Sequence, residues 1–284
     1  MKEKIILYNH FHNGDIFYSR IITQILSEKY DITYYHNLKK SLFTDVPYVN
    51  EIVGIPSNLQ QNENFLGGLN INTWIGQKNA HYLKGNHHGC SFSNYFKLVK
   101  DISNNLGLIV NESDNYLPII YFDNLPQKEQ IITEMVKFKD RYKKIIFISN
   151  GNVNSGQSSN FDMSQLIINL ALNNKNCLFL ISHDFNKEVD NIVDVSTITK
   201  INPDLLQIGF VSTFCDIIIG RASGPHCFTH IKDNLLDVNK TFISISNNPS
   251  EGKWFIESIA KQIWTNNYNN DHLYNIINDE IKIK

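Results

Sequence analysis

Lys144–Ser182 reads KIIFISNGNVNSGQSSNFDMSQLIINLALNNKNCLFLIS. Lys144–Ser149 is a short apolar run that ends in a polar loop, Asn150–Asn160. Met163–Asn173 has a helical pattern, and Cys177–Ser182 is a second apolar run. Strand, loop, helix and strand in that order make the unit from which parallel sheets are built.

The same alternation continues downstream. The pattern predicts a helical segment over Pro203–Cys215, a strand over Asp216–Gly220 and a helix over Gly224–Asp233. A strand over Thr241–Ser246 and a helix over Trp254–Trp264 follow. The polar run Trp264–Asp271 leads to a last helix, His272–Ile283, expected to pack back on the first half. Upstream, Gln127–Tyr142 reads as a helix, and Asp123–Gln127, with Pro126 and no periodicity, reads as a linker.

Before that linker, Lys4–Tyr8 is a strand and Asn9–Gly14 a polar loop. Ile16, Ile21, Ile22, Ile25 and Leu26 recur at helical spacing, which predicts an amphipathic helix over Asp15–Lys29. Asp31–His36, Glu51–Ile55 and Leu69–Ile75 read as strands, Phe92–Leu106 as a helix, and Tyr116–Phe122 as a closing strand. The expectation is an α/β protein with one parallel-sheet domain over residues 1–125 and another over 126–284.

Composition narrows the function. The 284 residues carry 26 Lys and Arg against 28 Asp and Glu, a net charge of −2, which disfavours a basic nucleic-acid binder. No apolar run approaches the ~18 residues that a membrane helix needs, and the N-terminal run lacks the long apolar core of a signal peptide. Cys90, Cys177, Cys215 and Cys227 form no C-x-x-C pair and read as reduced thiols. A cytoplasmic location is expected, with peripheral contact at the inner membrane surface left open.

In open parallel sheets, ligands bind beyond the carboxyl ends of the strands. Four loops fit: Asn9–Asp15, Asn150–Asn160, Ser182–Asp184 and Arg221–Pro225. Two domains that each offer such loops imply a cleft between them. In the first loop, Asp15 is either a helix N-cap or a general base. His10 and His12 would share one face of an extended segment, so a metal pair is conceivable, but no third ligand is visible. Asn150–Asn160 is small and polar but lacks phosphate-loop spacing. In Arg221–Pro225, Gly224 allows close approach, Pro225 suits a first helical turn, and Arg221 offers a fork of donors. The reading favoured there is an anion site, the alternative an ordinary turn.

Two stretches, Asn13-Gly14-Asp15 with the helix after it and Asp216–His226 (DIIIGRASGPH), resemble segments of the heptosyltransferase-like glycosyltransferases, family 9, of the GT-B fold. The resemblance implies two Rossmann-like domains facing across a cleft. The N-terminal domain would take the acceptor and the C-terminal domain a nucleotide-diphosphate sugar donor. Asp15 then matches the catalytic base. His10, His12 and Asn13 stand on the acceptor side. Asn150, Gly151, Asp184, Ser223 and Gly224 match the donor site, with Arg221 expected to neutralise diphosphate charge. Ala222 stands where the family has an acidic residue. Gln157 and Ser158 stand near the place of a family lysine that has no counterpart, and Arg20 lies in the region of a family proline.

The activity implied is inverting transfer of a sugar to a hydroxyl of a bacterial-type glycan or glycolipid. No D-x-D motif is present, and neither metal nor cofactor is expected. A sugar-nucleotide epimerase, with His183 and His226 as acid and base, is a second reading. A non-catalytic sugar-nucleotide binder is a third.

Overall fold

Lys144–Ser149, Cys177–Ile181, Ile217–Arg221 and Thr241–Ile245 are continuous buried runs rather than alternating ones, as expected of parallel strands covered on both faces. The computed structural model describes residues 2–38, 41–57, 59, 64–65, 68–74, 92–110, 117–154, 156–186, 188–201, 204–222, 224–247 and 258–283. The chain divides into two compact units, the first running through Asn124 and the second starting at Leu125.

The first unit begins with β1 (Glu3–Asn9), α1 (Asn13–Tyr18), α2 (Arg20–Leu26), β2 (Tyr30–His36) and β3 (Val49–Val53). It continues with β4 (Asn64–Phe65), β5 (Gly68–Asn72) and α3 (Phe92–Asn105). The sheet order is β3-β2-β1-β5-β4. β1 is parallel to β2 and β5, whereas the two-residue β4 is antiparallel to β5.

Asp15–Lys29, expected as one amphipathic helix, is two short helices that meet at Ser19. The Ser19 hydroxyl donates to the Ile16 carbonyl at 2.7 Å and lies 2.6 Å from the Tyr34 hydroxyl. Most of both helices is buried, Arg20 included. The Arg20 guanidinium donates to Asp45 at 2.5 Å and to the Leu42 and Ile119 carbonyls at 2.7 and 3.1 Å.

That contact also explains why the closing strand expected over Tyr116–Phe122 does not form within its described residues, 117–122. Their backbone groups find side chains instead of a ladder: the Tyr121 amide donates to Asp45 at 2.9 Å. A short 3-10 turn follows at Phe122–Asn124.

The second unit comprises α4 (Lys128–Arg141), β6 (Lys144–Ser149), α5 (Ser164–Asn173), β7 (Cys177–Ile181), β8 (Ile192–Asp194) and α6 (Ser196–Thr199). It continues through α7 (Leu205–Ser212), β9 (Ile217–Arg221), α8 (Pro225–Phe228), α9 (Lys232–Leu235), β10 (Thr241–Ile245), β11 (Lys261–Thr265) and α10 (Asn270–Lys282). Its sheet runs β11-β10-β9-β6-β7-β8, with every pairing parallel.

One expectation is corrected here. Trp254–Trp264 was expected to be a helix; residues 251–257 lie outside the described set, and Lys261–Thr265 is edge strand β11, extended by its ladder to β10. The last helix buries Leu273, Ile277 and Ile281 in the core of the second unit beside Leu166, Ile167 and Leu170 of α5. Lys144, at the start of β6, fixes it by donating to the Glu280 and Ile281 carbonyls.

Candidate functional site

Each sheet has one place where strand order reverses, and ligand crevices form outside the carboxyl ends of strands at such places. In the first sheet it lies between β1 and β5, and in the second between β6 and β9.

After β1, the Asn9 side chain accepts from the Phe11 amide at 2.9 Å, which turns the chain away from the sheet. After β5, the Thr73 amide extends the ladder to the Tyr8 carbonyl at 2.9 Å. The Thr73 hydroxyl lies 2.8 Å from the Tyr34 hydroxyl and accepts from Asn9 at 3.3 Å. Asn9, Thr73, Tyr34 and Ser19 thus form a buried polar chain beneath the loop. Burial pushes the Tyr34 phenol pKa up, hydrogen bonds from Ser19, Thr73 and Asn9 oppose this, and the charge of Asp15 raises it further. Tyr34 is a neutral hydroxyl.

Asp15 is the third residue of α1, in its first turn and 8% exposed. It is not the N-cap: His12 holds that position with extended backbone (φ −86°, ψ 167°), and its carbonyl accepts from the Ile16 amide at 3.1 Å. A carboxylate in the first turn is favoured by the helix N-terminal field. Asn13 is the first helical residue.

Around this turn, Phe11 stacks on Trp74 (4.3 Å, 18°), His10 meets Trp74 edge-on at 5.0 Å, and His12 meets Phe11 at 4.5 Å. Burial lowers the pKa of His10, so it is neutral near pH 7. Among the described residues no three His, Cys, Asp or Glu side chains gather as a metal site. The structure therefore places His10, His12, Asn13 and Asp15 along one turn. Sequence reasoning missed Tyr34 of β2 and Thr73 and Trp74, which follow β5. A lone Trp just past a strand end carries no spacing signal.

In the second unit, Asn150 is bonded to the main chain of His183 in both directions, at 2.8 and 2.9 Å. Its neighbour Gly151 sits so close that an added Cβ would stand 3.4 Å from the His183 ring. Asp184, one residue further on, is exposed. Gln157 and Ser158 lie at the far end of the loop, where the Gln157 carbonyl accepts from the Asn247 amide at 2.9 Å. Within the loop, Asn160 bonds both the amide and the carbonyl of Val153, at 2.8 and 2.9 Å. Asn150, Asn152, Asn160, Phe161, Asp162 and Met163 line a hollow of about 350 Å³.

Arg221 departs from expectation. The residue is 1% exposed and its guanidinium faces protein carbonyls: Nη1 donates to Asn150 and Gly151 at 2.8 and 2.6 Å, and Nη2 donates to Phe161. Phe161 also lies under the guanidinium, 4.7 Å away. The helix expected over Gly224–Asp233 is two four-residue pieces, α8 and α9, so the long helix dipole imagined for an anion there is absent. Gly224 caps α8 at φ 54°, ψ −136°, a conformation that belongs to glycine. Ser223 lies outside the described residues.

His226 is fully buried, donates or accepts at Ser244 Oγ (2.9 Å), and packs on Gly220, where a Cβ would come within 2.7 Å of it. It has no path to a substrate. The three described pieces of the donor expectation that come together are Asn150, Gly151 and Arg221.

No family model matches the chain, and no curated protein matches it in sequence. Among solved structures, ADP-heptose LPS heptosyltransferase II of Escherichia coli matches over 99% of this chain and 98% of its own, with a TM-score of 0.50 and 11% identity. An apo-form glycosyltransferase of Streptococcus pneumoniae TIGR4 covers 98% of this chain and 99% of its own at 8% identity and a TM-score of 0.27, too slight a likeness to bear on the fold. The first likeness shows the fold: an α/β protein of two parallel-strand sheets, of the GT-B-like kind. Among the described residues no helix is long and apolar enough to cross a membrane.

Proposed function

We propose that this protein is a glycosyltransferase that moves a sugar from a nucleotide-diphosphate donor to a hydroxyl of a bacterial-type surface glycan or glycolipid. The observation that carries the reading is Asp15, a carboxylate at the strand-order reversal of the first sheet, in a chain that shares its fold end to end with a heptosyltransferase. Asp15 takes the proton of the acceptor hydroxyl as its oxygen attacks the anomeric carbon. Attack from the face opposite the diphosphate breaks the sugar–oxygen bond and inverts the centre. The nucleoside diphosphate leaves with the bonding electron pair, its charge met by loop amides rather than by a metal.

In this reading the first unit takes the acceptor near His10, His12 and Asn13. The second takes the donor at Asn150, Gly151, Gln157, Ser158, Asp184, Ser223 and Gly224, with Arg221 behind the loop that carries Asn150 and Gly151. A glycolipid acceptor fits action at the cytoplasmic face of a membrane.

The test incubates the full chain with a panel of sugar nucleotides, with and without chelator, and measures melting temperature and nucleoside-diphosphate release. Stabilisation by one base's diphosphate, with release that survives chelator, is expected. No stabilisation and no release with any donor would overturn the reading.

A second reading, donor binding without turnover, is favoured by Ala222, apolar and 2% exposed where the resembling family is acidic. It predicts stabilisation without release. The epimerase reading loses His226, which is sealed in the interior.

A further inference from the structure

Arg221 carries a charge into the protein interior, where no carboxylate among the described residues forms a direct ion pair with it, although the charge of exposed Asp162 reaches it from further off. Its Nε is buried without a hydrogen-bond partner. A buried charge without a direct ion pair is costly, and carbonyl dipoles with a more distant carboxylate compensate it incompletely. Such a site favours an anion nearby.

The carbonyls it grips have a geometric consequence. In a trans peptide, the C=O of one residue and the N–H of the next point in opposite directions. Arg221 draws the carbonyls of Asn150 and Gly151 inward to one nitrogen, Nη1. The amides of Gly151 and Asn152 are therefore turned outward together, away from the guanidinium. Neither amide has an acceptor among the described residues. Successive outward amides form an anion-binding concavity.

We propose that Arg221 is a positioning residue: it acts on the donor's diphosphate through the Gly151 and Asn152 amides that it turns outward, not by touching the phosphates. This rests on the reading of the second unit as a nucleotide-sugar site and names how that site is built. A planar fork suits the task because it fixes several carbonyls at once, whereas an ammonium is a point charge without that geometry.

The experiment uses the ¹⁵N-labelled full chain, titrated with inorganic pyrophosphate and with the nucleoside diphosphate that stabilises the protein most. The Gly151 and Asn152 amide resonances should move downfield with both probes, while the Arg221 side-chain resonances stay in place. Arg221→Lys keeps the charge and loses the fork. It should shift the same two amides in the ligand-free protein and weaken pyrophosphate binding on the order of tenfold to a hundredfold. Nucleotide binding that moves other resonances but leaves these two amides still would overturn the inference and leave the donor reading standing. Arg221 side-chain signals that follow the ligand, or an Arg221→Lys protein that binds pyrophosphate like the parent, would also overturn it. Absence of binding by any nucleoside diphosphate would remove both.

Discussion

His226 and His230 meet edge to face in the interior of the second unit, their ring centroids 4.7 Å apart. Burial drives the His226 pKa down to about 3, and burial with the neighbouring His226 drives His230 well below its ordinary 6.5. Both are neutral in the folded protein. The unfolded chain protonates them near pH 6.5, so between that value and about 3 it binds more protons than the native state. Stability is full above pH 6.5 and falls as pH drops, by about 1.4 kcal/mol per unit of separation for each ring. Urea unfolding from pH 7.5 to 4.5 should show a falling midpoint, and His226→Gln should flatten the slope. An unchanged slope in that variant would clear His226 of the effect.

Asp15→Asn separates chemistry from structure. Asn is nearly isosteric, and position three of α1 is not the cap. The variant should melt like the parent and bind nucleoside diphosphate normally. Its sugar-transfer rate should fall by roughly 10²–10⁴, the range for a lost general base. Near-parental transfer would require another base, with His12 the first to examine.

Asp45→Ala tests the interior of the first unit. Arg20 and Asp45 are 1% and 0% exposed and pair at 2.5 Å. Removing the carboxylate leaves a buried guanidinium unpaired and frees the Tyr121 amide. A loss of about 3–5 kcal/mol is expected in chemical denaturation. A loss under ~1 kcal/mol would mean that the two carbonyls on Arg20 suffice, in the manner of weak pairs.

Lys240→Met addresses a buried cation in the second unit. The Lys240 ammonium donates to the carbonyls of Ser212, Thr213 and Cys215, at 3.2, 2.8 and 2.6 Å, at the end of α7 and just past it. Methionine keeps the volume and abandons those acceptors. Scanning calorimetry should record a destabilisation of about 1–3 kcal/mol, the cost of unsatisfied buried groups. A melting temperature equal to the parent's would show that water reaches the three carbonyls.

The parts that the sequence exposes are those whose signal is local. Lys144–Ser149 reads as a strand and is one, because a parallel strand buried on both faces is a continuous apolar run. The loops at the strand ends are legible for the same reason, since each follows such a run. What escapes reading depends on distant partners. The break at Ser19 answers to Tyr34, fifteen residues away. The turned-in guanidinium of Arg221 answers to carbonyls 60 to 71 residues away. β11 has a mixed pattern, KQIWT, and its partner β10 decides its conformation.

The docking of α10 has a consequence for biosynthesis. Leu273, Ile277 and Ile281 complete the core built on β6 and α5, and Lys144 reaches carbonyls 136 and 137 positions later. A nascent chain that has delivered β6 to β10 from the ribosome still shows the α5 face of this core to water. Closure waits for residue 281, so the second unit folds late, through contacts of long sequence separation that slow folding. During that interval the apolar strands of β6, β7 and β9 are open to misassociation, and this stretch of translation is where a holdase chaperone has most to protect.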